Sequence, residues 1–169
     1  MNVERTKVAR ADINAIWFGL AAALSIGALS VDLLYQRLFD RQPCPWCNVE
    51  QLSFLVVAIG TALGFAVRRS TISAGVLAGL VLVLAASGIA ASFAQLDAEK
   101  SASCDLATAN HIIAGLRLDR VLPALIQAPA RCDAAQALLD PRYWRWSAGV
   151  FTGVGVFMLL VLRNLRVPV

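Results

Sequence analysis

Four stretches of this chain, residues 13–31, 51–67, 70–96 and 146–162, are apolar and carry no charged side chain. A bilayer-spanning helix needs about 20 such residues. No water in the hydrocarbon satisfies backbone polar groups, so segments that cross it must be helices or closed barrels. Stretches this long read as helices. The chain is 59% hydrophobic and only 15% charged, whereas soluble domains average about 25% charged. The expected fold is therefore an all-α integral membrane protein. It is a four-transmembrane-helix bundle forming a single membrane domain over residues 1–169. Helices are expected over about 13–35, 48–67, 70–96 and 145–163, joined by exported loops at 36–47 and 97–144. The second span reaches full length only if its helix starts near Asn48. The third is longer than needed and should tilt.

The net charge of +4 does not point to nucleic acid, because the basic residues are scattered and flank the apolar segments. An even number of spans puts both termini on one side. That side carries Arg5, Lys7, Arg10, Arg68, Arg69, Arg163 and Arg166 in short pieces, against two acidic residues, Glu4 and Asp12. This density makes the termini cytoplasmic. The first span is too long for the core of a signal peptide, and no convincing cleavage site precedes Asp32. Tyr143, Trp144 and Trp146 open the fourth span and suit the headgroup zone. Small residues four apart, as in Gly19/Ala23/Gly27, Gly60/Gly64, Gly75/Gly79 and Gly149/Gly153, let helices approach closely. Residues 116–126 (LRLDRVLPALI) group apolar side chains on one face and read as a short helix along the membrane surface.

All four cysteines fall on the exported side, where disulfides persist. Cys44-Pro45-Trp46-Cys47 sits at the mouth of the second span. Two thiols at this spacing form a dithiol–disulfide exchange motif, and a thiolate is favoured at a helix N-terminus. A structural disulfide this short would constrain little. Zinc would need two further ligands at suitable spacing, so no metal is expected. Cys104 and Cys132 lie 28 positions apart in the long loop. Seen alone they read as a structural staple. Beside a redox motif they could instead relay electrons by exchange. Glu50 can complement the start of the second helix, and Gln51 can hydrogen-bond a ligand carbonyl. Both also suit a plain interfacial role. Asp32 and Asp40 read as surface residues, and His111 as solvated.

The fragments QPCPWCNVEQ, SCDL, LRLDRVLP and RCDAAQ, in this order among four spans, resemble the disulfide bond formation protein B (DsbB) family. The resemblance covers nearly the whole chain and implies a quinone-linked thiol oxidase of the bacterial inner membrane. Such an enzyme reoxidises a periplasmic DsbA-like thioredoxin-fold oxidase and passes two electrons to ubiquinone or menaquinone. It implies catalytic roles for Cys44, Cys47, Cys104 and Cys132. Cys104 would form the mixed disulfide with the partner. Cys132 would pair with Cys104 at rest and transiently with Cys44. Cys47 would face the quinone, with Glu50 and Gln51 nearby, in a protein expected to be monomeric.

The chain departs from the family pattern in three places. Gln51 stands where an arginine is common, Ser92 and Phe93 stand near an Arg-His pair, and Ala137 with Leu138-Leu139 replaces a tryptophan and Leu-Gly motif. Arg37 or Arg41 is expected to supply the missing positive charge. Three other readings compete. A vitamin K epoxide reductase-like enzyme places its loop cysteines before the CxxC, the reverse of the order here. A non-catalytic four-helix protein with structural disulfides predicts inert cysteines. A metal-binding permease subunit lacks an intramembrane carboxylate or histidine path.

Overall fold

The computed structural model describes residues 2–38, 45–100 and 143–166, together with Gly115. Four helices account for these segments: α1 (Asn2–Leu38), α2 (Pro45–Ala66), α3 (Thr71–Lys100) and α4 (Tyr143–Arg166). Each is long and apolar enough to cross a membrane. No strand occurs among the described residues. The chain is a four-span helical bundle. The predicted surface helix at 116–126 lies outside the described residues, as do 101–114 and 127–142 of the long loop.

α1 is longer than any span requires. Its 37 residues extend about 55 Å at 1.5 Å per residue, against a hydrocarbon thickness of about 30 Å. Its backbone continues through the charged N-terminal segment because that segment holds no glycine or proline. α2 begins earlier than Asn48, at Pro45. Proline is favoured at a first helical position, where its missing N–H would have had no intrahelical partner. The α2–α3 turn is tight. Arg68 Nη1 donates to Phe65 O at 2.9 Å and its guanidinium lies 4.5 Å from the Phe65 ring centroid. Ser70 caps α3, its Oγ accepting from Ser73 N at 3.4 Å.

α1 packs on α2, α2 on α3, α3 on α4, and α4 on α1. The buried positions of α3 (Ala74, Ala78, Ala85 and Val81) and of α4 (Phe151, Val154, Met158 and Val161) recur at alternating steps of three and four. That spacing keeps one seam facing the bundle axis. Phe54 and Phe151 stack across the middle at 4.4 Å between centroids. The outward faces are equally apolar: Ile16, Ile59, Leu80 and Leu159 are all more than half exposed. Such a surface suits lipid, in which burial between helices gains from packing rather than from escape from water.

Close helix approach depends on a few glycines. A Cβ on Gly64 would collide with the buried Phe18 ring, and one on Gly88 would lie 2.6 Å from Phe151. Gly60 against Val81 and Gly153 against Leu24 are similarly tight. Gly19, Gly27, Gly79 and Gly149 face open space instead, so half of the glycines in the expected small-residue pairs make no contact. Gly88 lies outside those pairs.

Candidate redox site at the loop end of the bundle

One end of the bundle brings together the end of α1, the start of α2, the end of α3 and the start of α4. Here the seam changes character. Along α1 the buried stripe runs Phe18, Ala21, Ser25, Leu29, Asp32 and Gln36. The steps of three and four continue while the chemistry turns from apolar to polar. Asp32 is therefore not a surface residue, as expected from sequence, but 5% exposed. α1 continues unbroken to Leu38 and carries Asp32 inward on the core face.

Cys47 lies in the first turn of α2, buried at 8% exposure, and its sulfur is disulfide-bonded. Cys44, Cys104 and Cys132 lie outside the described residues. The helix N-terminus places partial positive charge beside the Cys47 sulfur. From α3, Gln95 Nε2 donates to Cys47 Sγ at 3.8 Å. A thiolate would accept this bond more strongly than a disulfide sulfur.

One turn further along α2, Gln51 is fully buried and its Nε2 donates to Asp32 Oδ2 at 2.6 Å. Gln51 Oε1 is also buried and has no hydrogen-bond donor. Glu50 and Asn48 are buried beside it. Because α2 begins at Pro45, Glu50 and Gln51 belong to its second turn. Glu50 therefore does not cap the helix, as the sequence reading allowed. Gln36, one turn beyond Asp32, is 6% exposed and its Nε2 has no hydrogen-bond acceptor. Ser92 and Ser147 close the α3–α4 side, with hydroxyl oxygens 3.2 Å apart.

Of the positions where the chain departs from its expected pattern, Ser92 is buried in this cluster. Phe93 points outward and packs on Trp144, 5.9 Å between centroids. Arg37 is exposed on the last turn of α1. It does not join the buried cluster as the expected source of charge, and Arg41 lies outside the described residues. The polar partner given to Gln51 is an acid from α1.

Sequence reasoning passed over Asp32, Gln36, Asn48 and Gln95. A signal for the first two was available. Asp32 and Gln36 lie four apart, in register with the core stripe set by Phe18, Ala21 and Ser25. Such a stripe buries whatever side chain occupies it.

The cluster is a disulfide-bonded sulfur enclosed by carboxamides, two buried carboxyl groups and hydroxyls, at one end of the bundle. Carboxamides both donate and accept hydrogen bonds. In a dry site each such bond is stronger than in water. The arrangement can hold an uncharged, oxygen-bearing ligand against the sulfur.

A family model for the disulfide bond formation protein DsbB matches residues 14–161. The chain is 29% identical over 156 residues to disulfide bond formation protein B 1 of Pseudomonas syringae pv. syringae (strain B728a), covering 88% of this chain and 90% of that protein. It is 29% identical over 162 residues to disulfide bond formation protein B of Aromatoleum aromaticum (strain DSM 19018 / LMG 30748 / EbN1), covering 90% and 93%. With disulfide bond formation protein B 1 of Pseudomonas fluorescens (strain Pf0-1) it shares 23% identity over 167 residues, covering 97% of each. No solved structure matches it. A four-span bundle with a buried sulfur at its loop end, matched over most of its length by this model, belongs to the DsbB family.

Proposed function

We propose that this protein forms disulfide bonds as a membrane thiol oxidase, taking two electrons from a soluble dithiol partner and passing them to a quinone. The observation that carries this reading is the buried, oxidised Cys47, set among hydrogen-bonding side chains at the end of a lipid-facing bundle. A sulfur so placed can exchange with thiols at the surface while facing a ligand dissolved in the bilayer. The side chains fit such a ligand. Gln36 Nε2 is a buried donor without an acceptor, and Gln51 Oε1 a buried acceptor without a donor. A ring oxygen of the quinone can accept from Gln36 Nε2, and a hydroxyl of the quinol formed from it can donate to Gln51 Oε1. When bound, the quinone supplies a two-electron, two-proton acceptor.

The remaining steps belong to the chain's own cysteines. Cys104 attacks no disulfide; as one half of a Cys104–Cys132 disulfide, it is itself attacked by the partner's thiolate and forms a mixed disulfide. The partner's second thiol resolves that bond, leaving the partner oxidised and Cys104 and Cys132 reduced. These thiols then exchange with a Cys44–Cys47 disulfide, through a transient Cys132–Cys44 bond, and release Cys47 as a thiolate. Gln95 Nε2–H and the α2 N-terminus stabilise that charge. Two thiols become one disulfide, giving up two electrons and two protons, the number the quinone takes up. Ubiquinone or menaquinone would serve, and the partner would be a DsbA-like thioredoxin-fold oxidase. The termini would lie in the cytoplasm of a bacterium, the cysteines in the periplasm and the bundle in the inner membrane.

The test is quinone-dependent oxidation of a reduced thioredoxin-fold dithiol protein by the purified full chain, with each cysteine replaced in turn by serine. Each replacement is expected to stop turnover. A partner whose second cysteine is replaced by alanine should in addition accumulate a mixed disulfide with Cys104 of the wild-type chain, because nothing then resolves that bond. Full turnover by Cys47→Ser would refute the reading, and a wild-type chain that never traps the partner lacking its second cysteine would favour inert structural disulfides.

A further inference from the structure

We infer that Asp32 is a positioning residue that fixes Gln51 as a hydrogen-bond acceptor, so that the site prefers a hydroxyl-bearing quinol to the corresponding quinone. This rests on the proposed quinone-linked function and concerns the selectivity of the same site. A glutamine amide can turn either end toward a ligand. Here one end is committed, because Gln51 Nε2 donates to Asp32 Oδ2 at 2.6 Å. The carboxyl oxygen cannot serve as partner to the amide carbonyl unless it is protonated, so Gln51 Oε1 is turned away from it. That oxygen is buried and has no donor.

A buried acceptor without a donor costs free energy until a ligand supplies one. The oxygens of an oxidised quinone ring only accept, whereas a quinol hydroxyl donates. Gln51 lies four residues after Cys47 on α2, the spacing of helix neighbours on one face. Its carbonyl is therefore one turn below the redox sulfur. An arginine at this position could only donate and would favour carbonyl or anionic oxygen. The Asp32–Gln51 pair reverses that polarity. Tighter binding of the reduced form also draws electrons toward the ring. A tenfold preference raises the potential of the bound two-electron couple by about 30 mV.

The test measures equilibrium binding of decylbenzoquinol and decylbenzoquinone to the oxidised full chain in nanodiscs, without turnover. Wild type is expected to bind the quinol roughly three- to tenfold more tightly, the range of one net hydrogen bond. Asp32→Ala frees the amide to turn and should bring the ratio to about one. Asp32→Asn retains an acceptor for Gln51 Nε2 and should keep most of the preference. Gln51→Arg should reverse it. Should Asp32→Ala fail to fold, Gln51→Met removes both ends of the amide and must abolish the preference. Equal binding of the two ligands by wild type, or an undiminished ratio in Asp32→Ala or Gln51→Met, overturns the inference. Thiol-dependent quinone reduction by the same wild-type preparation separates the two ideas. Reduction without a binding preference sinks only the role of Asp32, whereas absence of reduction sinks the functional reading itself.

Discussion

Cys47 and Arg37 are ten residues apart and meet opposite fates, one buried at the end of the seam and the other exposed on the last turn of α1. Cys47→Ser should leave the fold intact, since it exchanges one small side chain for another. Quinone-dependent turnover should nevertheless fall to background, read as loss of quinone absorbance. Arg37→Ala should change turnover less than twofold, because an exposed guanidinium in water contributes little to a buried charge. A large loss on that substitution would restore Arg37 as the source of positive charge. At this scale the sequence was legible where chemistry is local. The CPWC motif announces itself by spacing alone. Asp32 did not, because a carboxylate near the end of an apolar run usually marks the end of burial. Only the continuation of α1 to Leu38, with Asp32 on the core stripe, reverses that reading.

Helix contacts rest on rings set against glycines. Phe18 fills the space left by Gly64, and Phe151 that left by Gly88. Both rings are fully buried, so neither can swing aside for an added methyl group. Gly64→Ala and Gly88→Ala should each destabilise the bundle by about 1–3 kcal/mol through overpacking. Phe151→Ala should cost about 3–5 kcal/mol, since it empties the middle of the seam and removes the stack on Phe54. Thermal unfolding in one detergent, with wild type alongside, measures all three. Small-residue spacing identified Gly60 and Gly64 but also Gly19 and Gly27, which touch nothing across the interface. Spacing along one helix says that a face is smooth. Which neighbour lies against that face depends on the other helices, and this explains why Gly88 escaped notice.

The four-span architecture was plain in the uncharged stretches themselves, because lipid permits so few structures. The polar cluster was not, because it is assembled from four helices whose mutual rotation no single stretch encodes. Orientation is testable at the scale of the whole molecule. A cysteine introduced at Ser70, on a background in which the native cysteines are replaced, should react with a membrane-impermeant maleimide only after the cytoplasmic side is exposed. Reaction in intact cells would invert the proposed topology.

Between Asn14 near one end and the Asp32–Gln51 pair near the other, the buried hydroxyls of Ser25 and Thr61 are both turned back onto carbonyls of their own helices. The sequence places no ionisable side chain along that interval of any span. The middle of the protein thus acts as an insulator for protons. In the proposed cycle, those released by thiols and those consumed at a quinone ring would then be exchanged through the same mouth. The catalytic cycle should then move no net charge across the bilayer. Dissipating the membrane voltage with an ionophore should leave its rate unaltered.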